Sequence, residues 1–504
     1  MAFALVMLAM TAGGATSVQD IGGRAVWALK WSMFIRLSGQ LIVWVMTFWT
    51  IRLLEPQDYG LNAIAMAFCG MFLLVSEGGL NMAVVQAKEI SHEELRKIYG
   101  FIVLVSTVLT GLVASSGELL AGFFDMEELT HLVPLLSLQI LIFGLGSMHQ
   151  ALLIREIRLK EKSRNEFWAA IAGGLTTLSM AYLGYGYWSL ATGVLAMLLL
   201  RSVLNMLTVR VLVLPSLNMR GILGHLHFGA YVTGQRIVWH CYMQADTFII
   251  GRLLDSATLG IYAVGKQIAS LPVDKTGAIL SEVVLSSFSR LQSEPDRAAD
   301  YMLRGLRSLM TIVVPAFVGI ALVANDAVPL ILGEKWIGAV IVIQFLAIAA
   351  PFRIVNMVLL GVANAKGRPE VPLGGTVFSA MLVPSAIFIG AHWGLFGVCV
   401  AWIATMPVTT LFNLVRCLPL TTVTFRRLTS ALAGPVVASA AMFLVCWQII
   451  GILPAEFSSV GRVLAIMTVG VLSYVAVSVV VNYAGISEVY RFTVGKRFYR
   501  QNTA

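Results

Sequence analysis

Long apolar segments, separated by short polar breaks, run through almost the whole of this 504-residue sequence. Hydrophobic residues make up 58% of the chain and charged residues only 12%, whereas a soluble domain carries roughly 25% charged residues. A helix needs about 20 apolar residues to cross the hydrocarbon core of a bilayer. Because hydrocarbon offers the backbone no hydrogen bonds, such segments must be helical, and the weak alternation typical of a barrel is absent. The sequence therefore predicts an all-α polytopic membrane protein.

About fourteen segments have this length and composition. They lie near residues 28–51, 60–86, 98–117, 131–153, 166–184, 187–209, 226–251, 258–289, 308–332, 338–362, 371–391, 393–415, 429–450 and 461–484. Lysine and arginine concentrate in alternate breaks, including the breaks that hold Arg155 to Arg164, Arg297 to Arg307, and Arg426 with Arg427. By the positive-inside rule, these breaks and both termini face the cytoplasm. The net charge of +9 is then a property of the cytoplasmic loops and does not indicate nucleic-acid binding.

The first residues and the cysteines add little chemistry. The opening "MAFALVMLAMTAGGATS" has the apolar run of a signal peptide but lacks the basic region that precedes such a run. We therefore expect residues 1–27 to form a cytoplasmic segment. Five cysteines are scattered through the chain without CxxC spacing. The sequence predicts neither a metal site nor a cofactor.

One motif occurs twice, as "TFWTIRLLEPQDYGLNA" at 47–63 and "TFIIGRLLDSATLGIYA" at 247–263. Seven of the seventeen positions are identical. Both copies follow an odd-numbered predicted span, so the duplication is parallel, and two parallel lobes of six helices can open a central site alternately to either side. We expect Gly60 and Gly260 to make tight turns into the next helix. The adjacent Arg52 and Arg252 are expected to reach the lipid head groups.

Four segments carry a resemblance to a known family: "RLLEPQDYGLNAIA", "SEGGLNMAVVQ", "ADTFIIGRLLDSATLGIYAVGKQIASLPVDK" and "LILGEKWIGAV". Over about residues 28 to 420, the chain resembles the polysaccharide transporter branch of the multidrug/oligosaccharidyl-lipid/polysaccharide exporter superfamily. The resemblance implies two six-helix lobes around a central cavity, and transport of a lipid-linked oligosaccharide to the outer leaflet of the bacterial inner membrane. The expected organisation is a lobe at 28–215, a lobe at 216–420, two additional helices at 421–485 and a basic cytoplasmic tail at 486–504.

Basic residues inside the predicted spans are the candidate substrate site. They are Arg36, Arg236, Lys266, Lys275 and Arg353. Buried ionisable groups in a membrane are costly and usually serve function or pairing, and guanidinium groups suit phosphate because they offer several donors. We expect these cations to receive the pyrophosphate of the substrate. Two alternatives are open: Arg36 and Arg353 reach the head groups from helix ends, and Lys275 pairs with a neighbouring carboxylate.

Acidic residues inside the spans are the candidates for coupling to a proton or sodium gradient. They are Glu77, Asp246, Asp274 and Glu282. A carboxylate in a low-dielectric environment can act as a proton carrier, whereas a neighbouring cation holds it ionised. Pro272 precedes Asp274, and a proline at this position removes a helix hydrogen bond. The predicted eighth span is therefore the expected mobile helix, with Pro272 as its hinge.

Three other functions remain open at this point. A membrane glycosyltransferase or polymerase could use the outward acids Glu118, Asp125, Glu127 and Glu128, although no outward loop is long enough for a catalytic domain. A drug or cation exporter would favour acidic over basic cavity groups. A peptidoglycan-precursor flippase would also be expected to have basic residues in its cavity. Expected partners are the polyprenyl-pyrophosphate-linked oligosaccharide, membrane lipids, and polymerase and export proteins, without nucleic acid.

Overall fold

The computed structural model describes residues 39–77, 84–85, 90–209, 215–216, 223–290, 295–368, 370–452, 454 and 457–494. The side chains of residues 77, 223–232, 235, 274–290, 295 and 491–494 lie outside this description. All the long elements in these ranges are α-helices, and no strand occurs in them. The predicted all-α class is confirmed.

Contacts group the chain into two compact units, residues 36–263 and 264–504. The helices of the first unit are α1 (Gly39–Leu53), α2 (Pro56–Glu77), α3 (His92–Ser115), α4 (Gly117–Phe124), α5 (Leu129–Arg155), α6 (Leu159–Tyr182), α7 (Tyr187–Val209), α8 (Leu223–Leu253) and the beginning of α9 (Ser256–Arg290). The division between the units falls inside α9. The lobe boundaries expected from the repeat remain a prediction.

The second unit contains the rest of α9 and the later helices. These are α10 (Pro295–Ile331), α11 (Ala339–Ala365), α12 (Glu370–Ala391), α13 (Gly394–Cys417), α14 (Phe425–Ile452), α15 (Ser459–Val481) and α16 (Tyr483–Val494). A 3-10 turn, Glu334–Trp336, joins α10 to α11, and it follows Gly333, whose φ of 103° is readily adopted only by glycine. Trp336 of this turn is completely buried.

Within the described residues, ten helices are long and apolar enough to cross a membrane, as judged by length and composition. They are α2, α3, α5, α7 and α10 to α15. Their outer faces expose large apolar side chains, as in α15, where Val471 and Leu472 are 62% and 65% exposed. Contiguous apolar surface of this kind is typical of a lipid-facing helix. The chain is a multi-pass membrane protein, and the count of fourteen spans stays a prediction.

Each copy of the repeated motif forms a helix, a break of two residues and a second helix. Hydrogen bonds across the break fix the start of the second helix, because the first backbone N–H groups of a helix lack partners within it. In the first copy, the Glu55 N–H donates to Asp58 Oδ2 at 2.9 Å. In the second copy, the Thr258 N–H donates to Asp255 Oδ1 at 2.7 Å. Each copy therefore makes a different half of the same capping box.

The two glycines that occur in both copies of the motif lie inside helices, so the turn role predicted for them is wrong. Gly60 is in the second turn of α2, and Gly260 is in the second turn of α9. A Cβ atom on Gly60 would clash with the backbone carbonyl of Ser256, and a Cβ on Gly260 would clash with that of Pro56. Both glycines are needed because two helix backbones meet there without side chains between them.

The last two helices are attached to α10 through one of its residues. Tyr474 Oη of α15 donates to the Thr311 carbonyl at 2.6 Å, and Asn482 Nδ2 donates to Thr311 Oγ1 at 3.0 Å. An ion pair between Arg462 and Asp326 at 3.1 Å adds a second attachment. Polar contacts between membrane helices hold them in one register, since few other polar groups compete in lipid. The middle of α10, at Thr311, and its last turns, at Asp326, are thereby fixed against the C-terminal helices.

Candidate translocation site

Among the described helices of 24 residues or more, α6, α8 and α9 are absent from the ten apolar spans, and α8 and α9 are the two longest of these three. Together they carry most of the candidate residues predicted from the sequence. Arg236 is the fourteenth of 31 residues of α8, and Lys266 is the eleventh of 35 residues of α9. Both side chains are half-buried. Polar residues deep within long helices indicate a surface that faces protein or a water-filled cavity rather than lipid.

The Arg236 face of α8 lies against α2. His240 follows Arg236 by four residues, so the two side chains share one face of the helix. The His240 Nε2 atom is 2.9 Å from the Ala67 carbonyl oxygen, and its ring covers Gly70, where an added Cβ would meet Cε1 at 3.0 Å. The small residue on α2 makes room for the imidazole. His240 was not among the predicted site residues.

Asp246 is 2% exposed and makes a buried polar cluster at the end of α8. The Tyr262 hydroxyl of α9 donates to Asp246 Oδ2 at 2.6 Å, and the Thr247 N–H donates to Oδ1 at 2.8 Å. Tyr262 itself is completely buried. A buried carboxylate needs hydrogen-bond donors, because a buried polar group without partners is costly. Tyr262, which the sequence analysis did not select, is therefore the residue that fixes this carboxylate.

The two copies of the motif differ at both members of this contact. Where the second copy has Asp246 and Tyr262, the first has Met46 and Asn62. The Asn62 Oδ1 atom is buried without a hydrogen-bond partner in the described residues. Comparing the copies position by position would have identified Tyr262, because the acid and the hydroxyl appear together in one copy and are missing together in the other.

A second polar group joins α9 to α11 in the unit 264–504. Arg353 Nη1 donates to Ser270 Oγ at 3.4 Å. Ser270 follows Lys266 by four residues, which places both on one face of α9. The helices approach closely beside them, since a Cβ on Gly265 would meet Val342 Cβ at 2.7 Å. Arg353 is thus joined to the face of α9 that also carries Lys266.

The alternative role of Arg353, reaching head groups from a helix end, does not fit its position. Arg353 is the fifteenth of 27 residues of α11. At about 1.5 Å per residue, roughly 20 Å of helix lies on either side of it. The half-buried guanidinium is therefore in the middle of the helix.

The remaining predicted residues are only partly described. Arg36 lies outside the described residues, as do the side chains of Glu77, Asp274, Lys275 and Glu282. Their roles stay predictions. Pro272 lies within α9, which continues as one helix from Ser256 to Arg290. The hinge expected at Pro272 is therefore not a break in the helix in this conformation.

Comparison with known proteins agrees with this arrangement. A family model described as "Polysaccharide biosynthesis protein" matches residues 49–341, which include α8, α9, the second copy of the motif and all but the first two residues of the first copy. Lipopolysaccharide biosynthesis protein WzxC of Escherichia coli (strain K12) is 26% identical over 369 residues, covering 72% of this chain and 74% of WzxC. Teichuronic acid biosynthesis protein TuaB of Bacillus subtilis (strain 168) is 25% identical, covering 66% of this chain and 68% of TuaB. Succinoglycan biosynthesis transport protein ExoT of Rhizobium meliloti (strain 1021) is 21% identical, covering 71% and 73%.

Two solved structures share the fold. The inward closed conformation of the lipid II flippase MurJ has a TM-score of 0.70 at 14% identity, covering 90% of this chain and 100% of that chain. An inward-facing multidrug resistance MATE family transporter of the MOP superfamily has a TM-score of 0.60 at 13% identity, covering 83% and 98%. Since the family model matches more than half of the sequence, the chain belongs to the polysaccharide biosynthesis protein family, and its resemblance to the polysaccharide transporter branch is confirmed.

Proposed function

We propose that this protein is a flippase that moves a polyprenyl-pyrophosphate-linked oligosaccharide from the cytoplasmic to the outer leaflet of the bacterial inner membrane. The cargo would serve assembly of a surface polysaccharide, such as exopolysaccharide, capsule or lipopolysaccharide. One observation carries the proposal: in a family of polysaccharide biosynthesis proteins, α8, α9 and α11 each bear a half-buried cation well inside the helix, at Arg236, Lys266 and Arg353. The succinoglycan relative is named a transport protein and a structural neighbour a flippase, which supports transport rather than catalysis.

The chemistry of the cations suits a pyrophosphate. Arg236 and Arg353 offer planar guanidinium donors that keep their charge, and Lys266 adds a compact ammonium group. Because these side chains are half-buried, their attraction for phosphate is screened less than at an exposed surface. Arg36 and Lys275 join the same set in the proposal. The pyrophosphate enters from the cytoplasmic side, the two lobes rock, and the prenyl tail stays in lipid throughout.

Asp246 is the acid that we propose for coupling transport to a proton or sodium gradient, with Glu77, Asp274 and Glu282 as the other candidates. Its hydrogen bond from Tyr262 links the end of α8 to α9. Protonation or ion binding at this carboxylate changes that bond and hence the contact between two helices. A gradient then acts on the same helices that carry Arg236 and Lys266.

Deleting the gene tests the proposed function. The expected result is accumulation of complete lipid-linked repeat units facing the cytoplasm, together with loss of the surface polysaccharide. The sugar of the accumulated lipid identifies the cargo, and a peptidoglycan precursor in its place would support the rival flippase. Unpolymerised units already outside, or units lacking one sugar, would support a polymerase or glycosyltransferase. Loss of drug resistance without any lipid intermediate would support a drug exporter.

The cationic site is tested by replacing Arg236 and Lys266 together with alanine. Removing two charged hydrogen-bonding partners of phosphate is expected to lower flipping about 100-fold or more. The control replaces two exposed cations, Lys160 and Arg368, with alanine, which removes the same charge elsewhere. Both variants should reach the membrane in normal amounts. Wild-type flipping in the Arg236→Ala and Lys266→Ala variant would overturn the proposed site.

The coupling role is tested with Asp246→Asn and Tyr262→Phe in proteoliposomes under an imposed proton or sodium gradient. Asp246→Asn keeps the size of the side chain but cannot be ionised, so flipping should no longer respond to the gradient. Tyr262→Phe leaves the carboxylate in place, so flipping should still respond, although the dependence on pH or sodium concentration shifts. A normal gradient response in Asp246→Asn would assign coupling to another residue.

A further inference from the structure

A cavity of about 700 Å³ lies in the unit 264–504, between the second to fourth turns of α10 and the first two turns of α14 and α16. Four arginines line it: Arg304 and Arg307 on α10, and Arg426 and Arg427 on α14. Two carboxylates, Asp300 and Glu488, line it as well. The cavity therefore carries four positive and two negative side chains. None of these residues belongs to the candidate translocation site.

Ion pairs account for half of the arginines. Arg427 pairs with Asp300 at 2.5 Å, and Arg307 pairs with Glu488 at 3.3 Å. In the part of the chain that the structure describes, the guanidinium groups of Arg304 and Arg426 have no hydrogen-bond or ion-pair partner. The cavity thus has two fixed pairs and two guanidinium groups left over for a ligand. Such a set favours an anion with several acceptor oxygens, and phosphate fits this requirement.

The position of the cavity along the helices indicates where its ligand comes from. After Arg307, α10 continues for 24 residues to Ile331, and after Arg427, α14 continues for 25 residues to Ile452. At about 1.5 Å per residue, each stretch is roughly 36 Å long, enough to cross the ~30 Å hydrocarbon core. Both arginine groups therefore lie at the level of the lipid head groups.

Aromatic side chains next to the cavity residues also indicate that the cavity lies at the level of the lipid head groups. Tyr301, Phe425 and Tyr490 are 56%, 55% and 62% exposed, and they lie on the three helices that form the cavity. Exposed aromatic residues are enriched where membrane helices meet the head groups. On the inner wall, Leu303 is 5% exposed and gives the cavity an apolar element. A ligand with a phosphate and an attached apolar tail matches both features.

We propose that this cavity binds the phosphate head group of an anionic phospholipid, such as phosphatidylglycerol. Arg304 and Arg426 bind the phosphate oxygens, and the hydroxyl of Ser430, which also lines the cavity, is a further donor. Basic pockets between membrane helices on the cytoplasmic side are known to suit anionic head groups. The bound lipid bridges α10, α14 and α16 and stabilises the C-terminal helices. This binding is separate from the flipping of the oligosaccharide.

The test uses the purified full-length protein in a neutral detergent. Short-chain phosphatidylglycerol is titrated while bound lipid is counted by native mass spectrometry and the unfolding temperature is recorded. Short-chain phosphatidylcholine and inorganic phosphate are titrated in parallel. We expect phosphatidylglycerol to bind and raise the unfolding temperature, and the other two probes to do neither at equal concentration.

Three variants connect the binding to the cavity. Arg304→Gln with Arg426→Gln should weaken phosphatidylglycerol binding by about 30-fold, since two charges near the head group are lost. Arg304→Lys with Arg426→Lys keeps the charge and should recover part of the affinity. The control, Lys160→Gln with Arg368→Gln, removes two exposed cations and should bind within about twofold of the wild type.

Unchanged binding in the double glutamine variant would overturn the proposal. Saturation of the site by inorganic phosphate, without binding of phosphatidylglycerol, would overturn the lipid source and assign the cavity to a free anion. Both readouts are independent of transport, so a failure here leaves the proposed flippase function intact. If the protein flips no oligosaccharide but still binds phosphatidylglycerol, the flippase function is overturned and the lipid site stands.

Discussion

The close contact at Gly60 and Gly260 allows the effect of an alanine at either position on the free energy of unfolding to be predicted. An alanine in a helix is favoured over glycine by about 1 kcal/mol, so Gly60→Ala gains this amount from propensity alone. Against this gain, the new Cβ would overlap the backbone carbonyl of Ser256. A backbone atom cannot rotate away as a flexible side chain does, so α2 and α9 must separate.

The size of the loss follows from what the separation disrupts. Overpacking costs typically 1–3 kcal/mol, and α2 also loses the contact in which Ile64 packs on Gly251. We therefore expect Gly60→Ala and Gly260→Ala each to be destabilising by about 1–2 kcal/mol in net terms. For a unit of this size, that corresponds to an unfolding temperature lower by about 2–8 °C. The two substitutions together should cost less than their sum, because the first already separates the helices.

The assay is thermal unfolding of the purified protein in detergent, followed by tryptophan fluorescence. Gly111→Ala is the matched control, because Gly111 is also in a helix of the same unit and nothing lies within 4 Å of an added Cβ. This control should be neutral or stabilised by up to about 1 kcal/mol. If Gly60→Ala and Gly260→Ala unfold at or above the temperature of Gly111→Ala, the close contact between the two helices is refuted.

Three further outcomes are expected. Asp255→Ala removes the N-cap of α9 and should cost about 1 kcal/mol at neutral pH. Partial burial alone would raise the pKa of Asp255. The hydrogen bonds that the carboxylate accepts, chiefly those from Thr258, together lower the pKa by more than burial raises it, so the pKa of the carboxyl lies below its ordinary value. The cap therefore stabilises the protein at neutral pH, and the difference in unfolding temperature between wild type and Asp255→Ala should shrink as the pH falls through this lowered pKa. Tyr262→Phe removes a buried donor from Asp246 and should lower stability by about 1–3 kcal/mol, measured by urea or thermal unfolding. Tyr474→Phe should loosen the C-terminal helices, which hydrogen exchange of α15 and α16 will detect while α2 and α8 stay unchanged.

The sequence was sufficient for the class of fold and for the family. Apolar segments of membrane-spanning length permit few structures, because hydrocarbon forces every backbone group to bond internally. The starts of α2 and α9 are likewise fixed by residues close in sequence, since the Asp58 and Asp255 side chains each accept a hydrogen bond from a backbone N–H three residues away. In both cases the physical constraint is local, so neighbouring residues contain the information.

The errors and omissions concern contacts between distant residues. Gly60 and Gly260 were expected in turns because a glycine permits both a turn and a close helix approach, and only the packing decides which applies. Tyr262 was missed because its partner Asp246 lies on another helix. The arginine-lined cavity was missed because Arg304 and Arg426 have the pattern of ordinary cytoplasmic flanks until α10 and α14 are placed side by side.

The glycine contact has a consequence for how the chain arose. Gly60 faces the backbone at Ser256, and Gly260 faces the backbone at the equivalent position, Pro56. An isologous interface between two identical subunits has this self-complementary form. Duplication and fusion of a shorter, dimeric ancestor would place such an interface inside one polypeptide. In a homodimer, one substitution changes both sides of the interface at once. The fused chain can instead carry a buried acid in one half only, as it does with Asp246 in the second half and Met46 at the equivalent position of the first.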